Sequence, residues 1–100
     1  MFSVIYKWFV EPEKFDDFRL VWSDTTELIH ETVEGAMGSK LFRSASDERI
    51  VITIARWRSL AEWRSFWEDS SPSQMKGMNL LAEKVSVEVY EDIVDRTYST

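Results

Sequence analysis

The chain has 100 residues, a net charge of −6 and no cysteine. Its length allows one domain. Its negative charge argues against nucleic-acid and anionic-membrane partners, because both need a basic protein surface. The missing cysteines exclude disulfides and thiolate metal sites. Lys7 interrupts the apolar N-terminus, which lacks the features of a signal peptide, and no apolar run approaches the ~18 residues of a membrane span. We therefore expect a cytoplasmic protein without a membrane segment.

The first third of the chain predicts a strand and a long helix. Residues Phe2–Val10 are rich in β-branched and aromatic types, and both faces of this strand are apolar, which indicates a central strand covered on two sides. Pro12 suits the first turn of a helix and Gly35 suits its end, giving about six turns. The apolar positions that follow helical spacing are Phe15, Phe18, Trp22, Ile29 and Val33, with Leu28 and Val21 beside them.

A hairpin follows. The β-like runs Ala36–Ser46 and Arg49–Arg58 flank the polar turn Ser46-Asp47-Glu48, which predicts two antiparallel strands. Alternation in the second run places different residues on its two faces: Ile50, Ile52 and Ile54 on one, Val51, Thr53 and Ala55 on the other.

Two short helices and a last strand complete the pattern. Ser59 and Glu62 form a capping box before a helix, and Ser71-Pro72-Ser73-Gln74 is a second cap, although Gly77 weakens the helix that it would begin. The apolar residues of the three elements are Leu60, Trp63, Phe66 and Trp67, then Met75, Met78 and Leu81, then Val85, Val87 and Val89. Residues 96–100 are expected to form a loose tail.

This order predicts an α+β fold of the ferredoxin-like βαββαβ type, with helices on one face of a four-stranded antiparallel sheet. We expect one domain over residues 1–95. Strands that are apolar on both faces need a second cover, which one layer of helices does not supply. The sequence therefore predicts a homodimer.

Two segments resemble a known family. The run Ile54-Ala55-Arg56-Trp57-Arg58-Ser59-Leu60-Ala61-Glu62-Trp63, together with the glycine-containing run Gly35–Leu41, is similar to the antibiotic biosynthesis monooxygenase family of dimeric α+β barrels. Members end the third strand on Trp and cap the next helix with Ser. The resemblance implies a pocket between sheet and helices, and some members oxygenate polycyclic phenols without metal or flavin.

A haem-degrading branch of that family has an Asn in strand one and a His ligand after the second helix. Here strand one offers Tyr6, Lys7 and Trp8, and the ligand position falls near Lys76. The chain also has a single His and no phosphate-binding glycine loop. We therefore expect no cofactor, whether metal, flavin or haem, and we interpret the acidic pairs Asp16-Asp17 and Glu91-Asp92 as solvated surface.

One stripe of the long helix carries a candidate site. Trp22, Thr26 and His30 are spaced i, i+4 and i+8, which places a hydroxyl and the single imidazole beside an aromatic wall. Histidine is a natural base near neutral pH. A lone His without an identified partner more often is a solvated residue, and His30 fits one near the negative end of the helix dipole.

Further candidates come from the strands and the second half of the chain. Tyr6 and Tyr90 are candidate donors to a developing phenolate or enolate oxygen. Trp63, Trp67 and Met75 are candidate walls of a substrate site, although aromatic and Met residues at this spacing also suit a core. We predict an apolar cavity between the first helix and the sheet, with Trp22 and Trp67 on its walls and His30 at its mouth.

The resemblance, together with the aromatic walls, implies a cofactor-independent monooxygenase that acts on a small, flat aromatic or polyketide-like molecule. A non-catalytic small-ligand-binding domain is the alternative. Amino-acid-binding domains of the ACT type share the element order, but this chain has Val10-Glu11-Pro12 where such a site would have a glycine-rich turn. A structural or stress-response barrel without a ligand is a third interpretation.

Overall fold

The computed structural model describes residues 1–68 and 72–99. One antiparallel sheet has the strand order β2-β3-β1-β4, and this order confirms the predicted ferredoxin-like α+β fold. The strands are β1 (Phe2–Phe9), β2 (Ala36–Arg43), β3 (Ile50–Trp57) and β4 (Glu83–Glu91), and the helices are α1 (Phe15–Thr32), α2 (Leu60–Phe66) and α3 (Lys76–Leu81). Residues 92–99 form neither helix nor strand. The predicted cap at Ser71 and the final residue of the predicted tail lie outside the described residues.

Helix α1 begins after a 3₁₀ turn that Pro12 opens and ends at Thr32. Gly35 then turns the chain into β2 with a φ of +88°, a left-handed conformation that glycine adopts without strain. Phe18 is fully buried. Leu28, beside the apolar stripe, is 48 % exposed, because it lies one residue, or about 100°, away from the packed Ile29.

The loop between β2 and β3 is longer than the predicted turn, because β2 already ends at Arg43. The Ser44 hydroxyl accepts hydrogen bonds from the amides of Ser46 and Asp47 at 3.3 and 3.2 Å. The Asp47 carboxylate accepts from the amide of Arg49 at 3.0 Å. These side chains satisfy backbone donors that would otherwise pair in a longer ladder.

Half of the predicted capping box forms at the start of α2. The Ser59 hydroxyl accepts from the Glu62 amide at 3.2 Å, as predicted. The Glu62 carboxylate instead accepts from the Ser59 hydroxyl at 2.8 Å and from Arg58 Nε at 3.1 Å. Arg58 Nη2 also lies 3.3 Å from a Glu34 oxygen, so this group ties the end of α1 to the start of α2.

The core lies between the helices and one face of the sheet. Trp8 is fully buried at its centre, edge-on to Phe18 with ring centroids 5.4 Å apart. Its indole N–H donates to the Thr53 hydroxyl at 3.0 Å, so no buried polar atom of the pair lacks a partner. The other buried apolar residues of this layer are Val4, Tyr6, Val10, Val51, Trp57, Trp63, Met75 and Met78.

Gly77 permits the close contact of α3 with α1. A Cβ at this position would lie 2.9 Å from a Val21 methyl, which is closer than van der Waals contact allows. The glycine that weakens the prediction of α3 is therefore explained by packing, since the gain in contact with α1 offsets its low helix propensity.

The face of the sheet that points away from the helices, which we call the outer face, carries apolar residues in the middle of its two central strands. Ile5 of β1 and Ile52 and Ile54 of β3 are half-buried there. In β4, a register shift opposite Lys7 and Trp8 makes Val85 the extra residue of a bulge. Val85 lies in the last strand, as predicted, but the bulge removes it from the alternation of Val87 and Val89 and leaves it 52 % exposed. The homodimer stays a prediction.

Candidate functional site

A small cavity lies between α1, α3 and the sheet. Its volume is about 50 Å³, well below the ~300 Å³ at which ligand sites usually begin. An open groove of about 280 Å³ adjoins it and shares part of its lining: Trp22, Thr26, His30, Gly38 and Ser39.

The Tyr6 hydroxyl is a buried polar group of the cavity lining. Tyr6 is 4 % exposed, and its oxygen accepts a hydrogen bond from Trp63 Nε1 at 3.3 Å. Burial raises the pKa of Tyr6 to about 12, and the Trp63 hydrogen bond opposes this rise. The phenol is therefore neutral at physiological pH, and its hydroxyl is a hydrogen-bond donor for an oxygen that enters the cavity.

We expect Tyr6→Phe to change how stability depends on pH. In neutral buffer the variant should lose about 1–3 kcal/mol, because the buried Trp63 N–H loses its acceptor. The raised pKa of Tyr6 stabilises the fold below the ordinary value of 10.0, and that contribution is lost as the pH rises towards 12. The wild type should therefore lose its advantage over Tyr6→Phe in this alkaline range. Urea unfolding of both proteins across this pH range measures the difference in their free energies of unfolding. A difference that does not change with pH would contradict the raised pKa of Tyr6.

His30 lines both the cavity and the groove. Its Nδ1 lies 3.0 Å from the carbonyl oxygen of Ala36. A carbonyl only accepts hydrogen bonds, so Nδ1 carries the proton in this contact, and Nε2 of the neutral ring has a free lone pair. The turn between α1 and β2 thus holds the imidazole in the tautomer that a general base requires.

A bulge in β2 shapes the mouth of the cavity. Ala36 pairs with Trp57, and Ser39 pairs with Ala55, so the two residues between them face a single residue of β3. Gly38 within the bulge has a φ of +96°. The Trp22 indole N–H reaches across to the Ser39 hydroxyl at 3.3 Å, which fixes the aromatic wall of the groove.

Five of the eight predicted site residues line the cavity: Tyr6, Trp22, Thr26, His30 and Met75. Trp63 lies behind this lining and reaches it through its bond to Tyr6. Trp67 stacks on Trp63 with centroids 5.8 Å apart and lies under the Lys84 ammonium at 4.4 Å, towards β4. Tyr90 is exposed and donates to a Glu88 oxygen at 2.7 Å. The predicted roles of these residues stay predictions.

The sequence did not single out several small or polar residues of the lining: Thr25, Gly38, Ser39, Thr53 and Arg56. One available signal was the pair Thr53 and Ala55, which are small where the neighbouring positions on the same face are Val51 and Trp57. Small side chains between large ones leave space, since a core otherwise packs densely.

Within residues 1–68 and 72–99, no three His, Asp or Glu side chains come together as a group that could hold a metal ion. The same residues contain no helix that is both long and apolar enough to cross a bilayer.

Comparison with known proteins identifies the family. The sequence model for "antibiotic biosynthesis monooxygenase" matches residues 1–74, which include β1 to α2 and most of the cavity lining. The chain belongs to the antibiotic biosynthesis monooxygenase family. This confirms the resemblance seen in the sequence. No curated protein matched the chain.

Solved structures of the antibiotic biosynthesis monooxygenase type share this fold. SnoaB from Streptomyces nogalater, a cofactor-independent oxygenase, superposes with a TM-score of 0.72 at 14 % identity, covering 94 % of each chain. A Deinococcus radiodurans protein that is named for the family superposes with a TM-score of 0.74 at 10 % identity over 100 % of both chains. A Bordetella bronchiseptica protein of the same designation gives 0.74 at 16 % identity, covering 93 % of this chain and 97 % of its own. At these low sequence identities, the structural similarity shows a shared fold and nothing further.

Proposed function

We propose that this family member is a cofactor-independent monooxygenase for a small, flat phenol. The observation that carries the proposal is the cavity, which combines an imidazole Nε2 with a free lone pair, a neutral phenol donor and an indole wall. SnoaB, which has the same fold, is a cofactor-independent oxygenase. Such chemistry needs a substrate that is itself the reductant.

The reaction on a naphthol illustrates the proposed roles. His30 Nε2 takes the phenolic proton, and the phenolate carries its negative charge to the ring carbon para to the oxygen. That carbon gives its electrons to dioxygen, and a carbon–oxygen bond forms. The peroxide takes up a proton, the O–O bond breaks as the same carbon loses its hydrogen, and naphthoquinone and water leave. One dioxygen is consumed for each quinone.

Tyr6 and Trp22 have binding roles in this proposal. The Tyr6 hydroxyl donates to a substrate or peroxide oxygen inside the cavity, where a hydrogen bond is worth more than in water because little solvent competes. Trp22 holds the ring in the groove, with its indole fixed by Ser39. Met75 at the far wall adapts to the ring edge.

A non-catalytic ligand-binding protein is the second candidate. The small volume of the cavity and the exposure of His30 favour it, because general-base catalysis usually takes place in a site that excludes water. Binding without turnover separates this candidate from the oxygenase.

The test is an oxygen-electrode assay with naphthol and protein that elemental analysis and absorbance show to be free of metal, flavin and haem. We expect protein-dependent dioxygen uptake equal to the naphthoquinone formed. Uptake no faster than in protein-free buffer, with naphthol nevertheless bound, would replace the oxygenase by the binding protein. Activity that appears only after a metal or flavin is added would overturn cofactor independence.

A further inference from the structure

Thr25 is a polar residue in the middle of the buried face of α1. It lies seven residues after Phe18 and four before Ile29, which places all three on one face of the helix, and it is 8 % exposed. No fully enclosed side-chain nitrogen or oxygen of the described residues lacks a hydrogen-bond partner. The Thr25 hydroxyl has no partner among those residues, so its oxygen borders open space, and the cavity is the space that Thr25 lines. A nearly buried hydroxyl without a partner costs free energy, which indicates a ligand rather than packing.

Two further residues with hydroxyl groups line the same cavity from the sheet. Tyr6 of β1 and Thr53 of β3 are directly paired across the two strands, so their side chains stand next to each other on the face towards the helices. Thr53 is 2 % exposed, and both residues line the cavity together with Thr25. We call Tyr6, Thr25 and Thr53 the hydroxyl cluster.

Indole groups already donate to the two sheet hydroxyls of this cluster. Trp8 Nε1 donates to the Thr53 oxygen at 3.0 Å, and Trp63 Nε1 donates to the Tyr6 oxygen at 3.3 Å. Among residues 1–68 and 72–99, neither hydroxyl donates its own proton to an acceptor. A hydroxyl has a single proton to donate, so both sheet hydroxyls keep a donor for a ligand. The hydroxyl cluster is therefore rich in hydrogen-bond donors.

The size and charge of the cavity restrict the ligand group that can enter it. The described lining residues include no Asp or Glu, so the cavity has no carboxylate to hold an ammonium group. Its volume of about 50 Å³ exceeds the ~30 Å³ share of one water and is far below the ~300 Å³ of a site for a whole ligand. One oxygen that accepts hydrogen bonds without donating any, such as a carbonyl oxygen, fits both restrictions.

We propose that the hydroxyl cluster binds the carbonyl oxygen of a flat ketone or quinone whose ring lies in the adjoining groove. The indoles of Trp8 and Trp63 hold the sheet hydroxyls so that their protons point to this oxygen, as donors do in an oxyanion hole. In the proposed oxygenation, this is the oxygen that dioxygen delivers to the ring, and that role of Thr25 rests on the proposed function. The preference for a carbonyl does not, since a protein that only binds its ligand would share it.

Replacement of Thr25 by Val tests the cluster, because valine has nearly the shape of threonine and lacks the hydroxyl. In a calorimetric titration, naphthoquinone should bind Thr25→Val about tenfold more weakly than the wild type, equal to 1.4 kcal/mol. Thr25→Ser keeps the hydroxyl and should bind as the wild type does. The control Thr32→Val removes an exposed hydroxyl that donates to the Leu28 carbonyl, and it should leave the affinity unchanged. Naphthalene, which has no oxygen, should bind all four proteins equally.

Two further measurements separate a ligand contact from a structural role. Thr25→Val should unfold at the same urea concentration as the wild type or at a higher one, because a methyl group replaces a buried hydroxyl that has no partner. Infrared spectra of naphthoquinone labelled at its carbonyl carbons should show a lower carbonyl stretching frequency in the wild-type complex than in the Thr25→Val complex, since hydrogen-bond donors weaken the C=O bond.

The outcomes for the cluster and for the oxygenase are distinguishable. Equal naphthoquinone affinity of Thr25→Val and wild type, or equal carbonyl frequencies in the two complexes, would refute the carbonyl site and leave ordered water as the occupant. Clear destabilisation of Thr25→Val would assign its hydroxyl to the fold. Naphthoquinone binding that depends on Thr25, without dioxygen uptake from naphthol, would support the cluster and remove the oxygenase. Dioxygen uptake with naphthoquinone binding that ignores Thr25 would do the reverse.

Discussion

Replacement of His30 by Asn is expected to lower naphthol turnover by about 10²–10⁴-fold, the usual contribution of a general base. The Asn amide can still donate to the Ala36 carbonyl from nearly the position of Nδ1, but nothing replaces the lone pair of Nε2. Naphthol affinity should change little, since the ring is held by the apolar walls. Steady-state rates and a separate binding titration measure the two effects.

Chemical rescue distinguishes a base from a structural residue. His30 is exposed, so imidazole added to His30→Ala should reach the vacated position and restore part of the turnover. Rescue should not occur in Trp22→Ala, whose defect is in binding. Turnover by His30→Asn within a few-fold of the wild type would show that His30 is not the base.

The largest loss of stability is expected for Trp8→Ala. Trp8 is fully buried, contacts Phe18 and satisfies the Thr53 hydroxyl. Truncation leaves a cavity and removes the hydrogen bond, and buried aromatic residues usually cost about 3–5 kcal/mol on such a change. This is a large part of the ~5–15 kcal/mol of an average domain. Urea unfolding at one fixed protein concentration measures it, since association makes apparent stability depend on concentration.

Leu80→Ala is the matched control for Trp8→Ala. Leu80 is 74 % exposed on α3, so its truncation should stay within about 0.5 kcal/mol of the wild type. If Trp8→Ala were no more destabilising than Leu80→Ala, the description of the core around β1 would be wrong.

The element order could be predicted because period-two and helical patterns are local properties of the sequence. Local patterns do not determine which residues pair across the sheet. Val85 alternates with Val87 in the sequence, but the bulge opposite Lys7 and Trp8 places it outside that alternation. The β2 bulge at Gly38 likewise depends on how β2 pairs with β3, which the local sequence pattern does not determine.

Only the part of the site that depends on local sequence patterns could be predicted. The stripe of Trp22, Thr26 and His30 depends on the geometry of one helix, and all three line the cavity. The position of Trp67 depends on where α2 lies across the sheet. Its ring packs near Tyr6 and Lys84, towards β4, whereas the cavity lies between α1 and the side of the sheet formed by β2 and β3. Helical spacing gives the face of a helix, and it does not give the strands that this face covers.

Binding of a flat phenol between α1 and the sheet can be measured by nitrogen-edited NMR of the five indole N–H groups during a naphthol titration. Trp22 Nε1–H, which donates to Ser39 at the mouth of the cavity, should shift most, and the Trp67 signal should change little. The largest shift at Trp67, or no shift at any indole at saturating naphthol, would show that naphthol does not bind between α1 and the sheet.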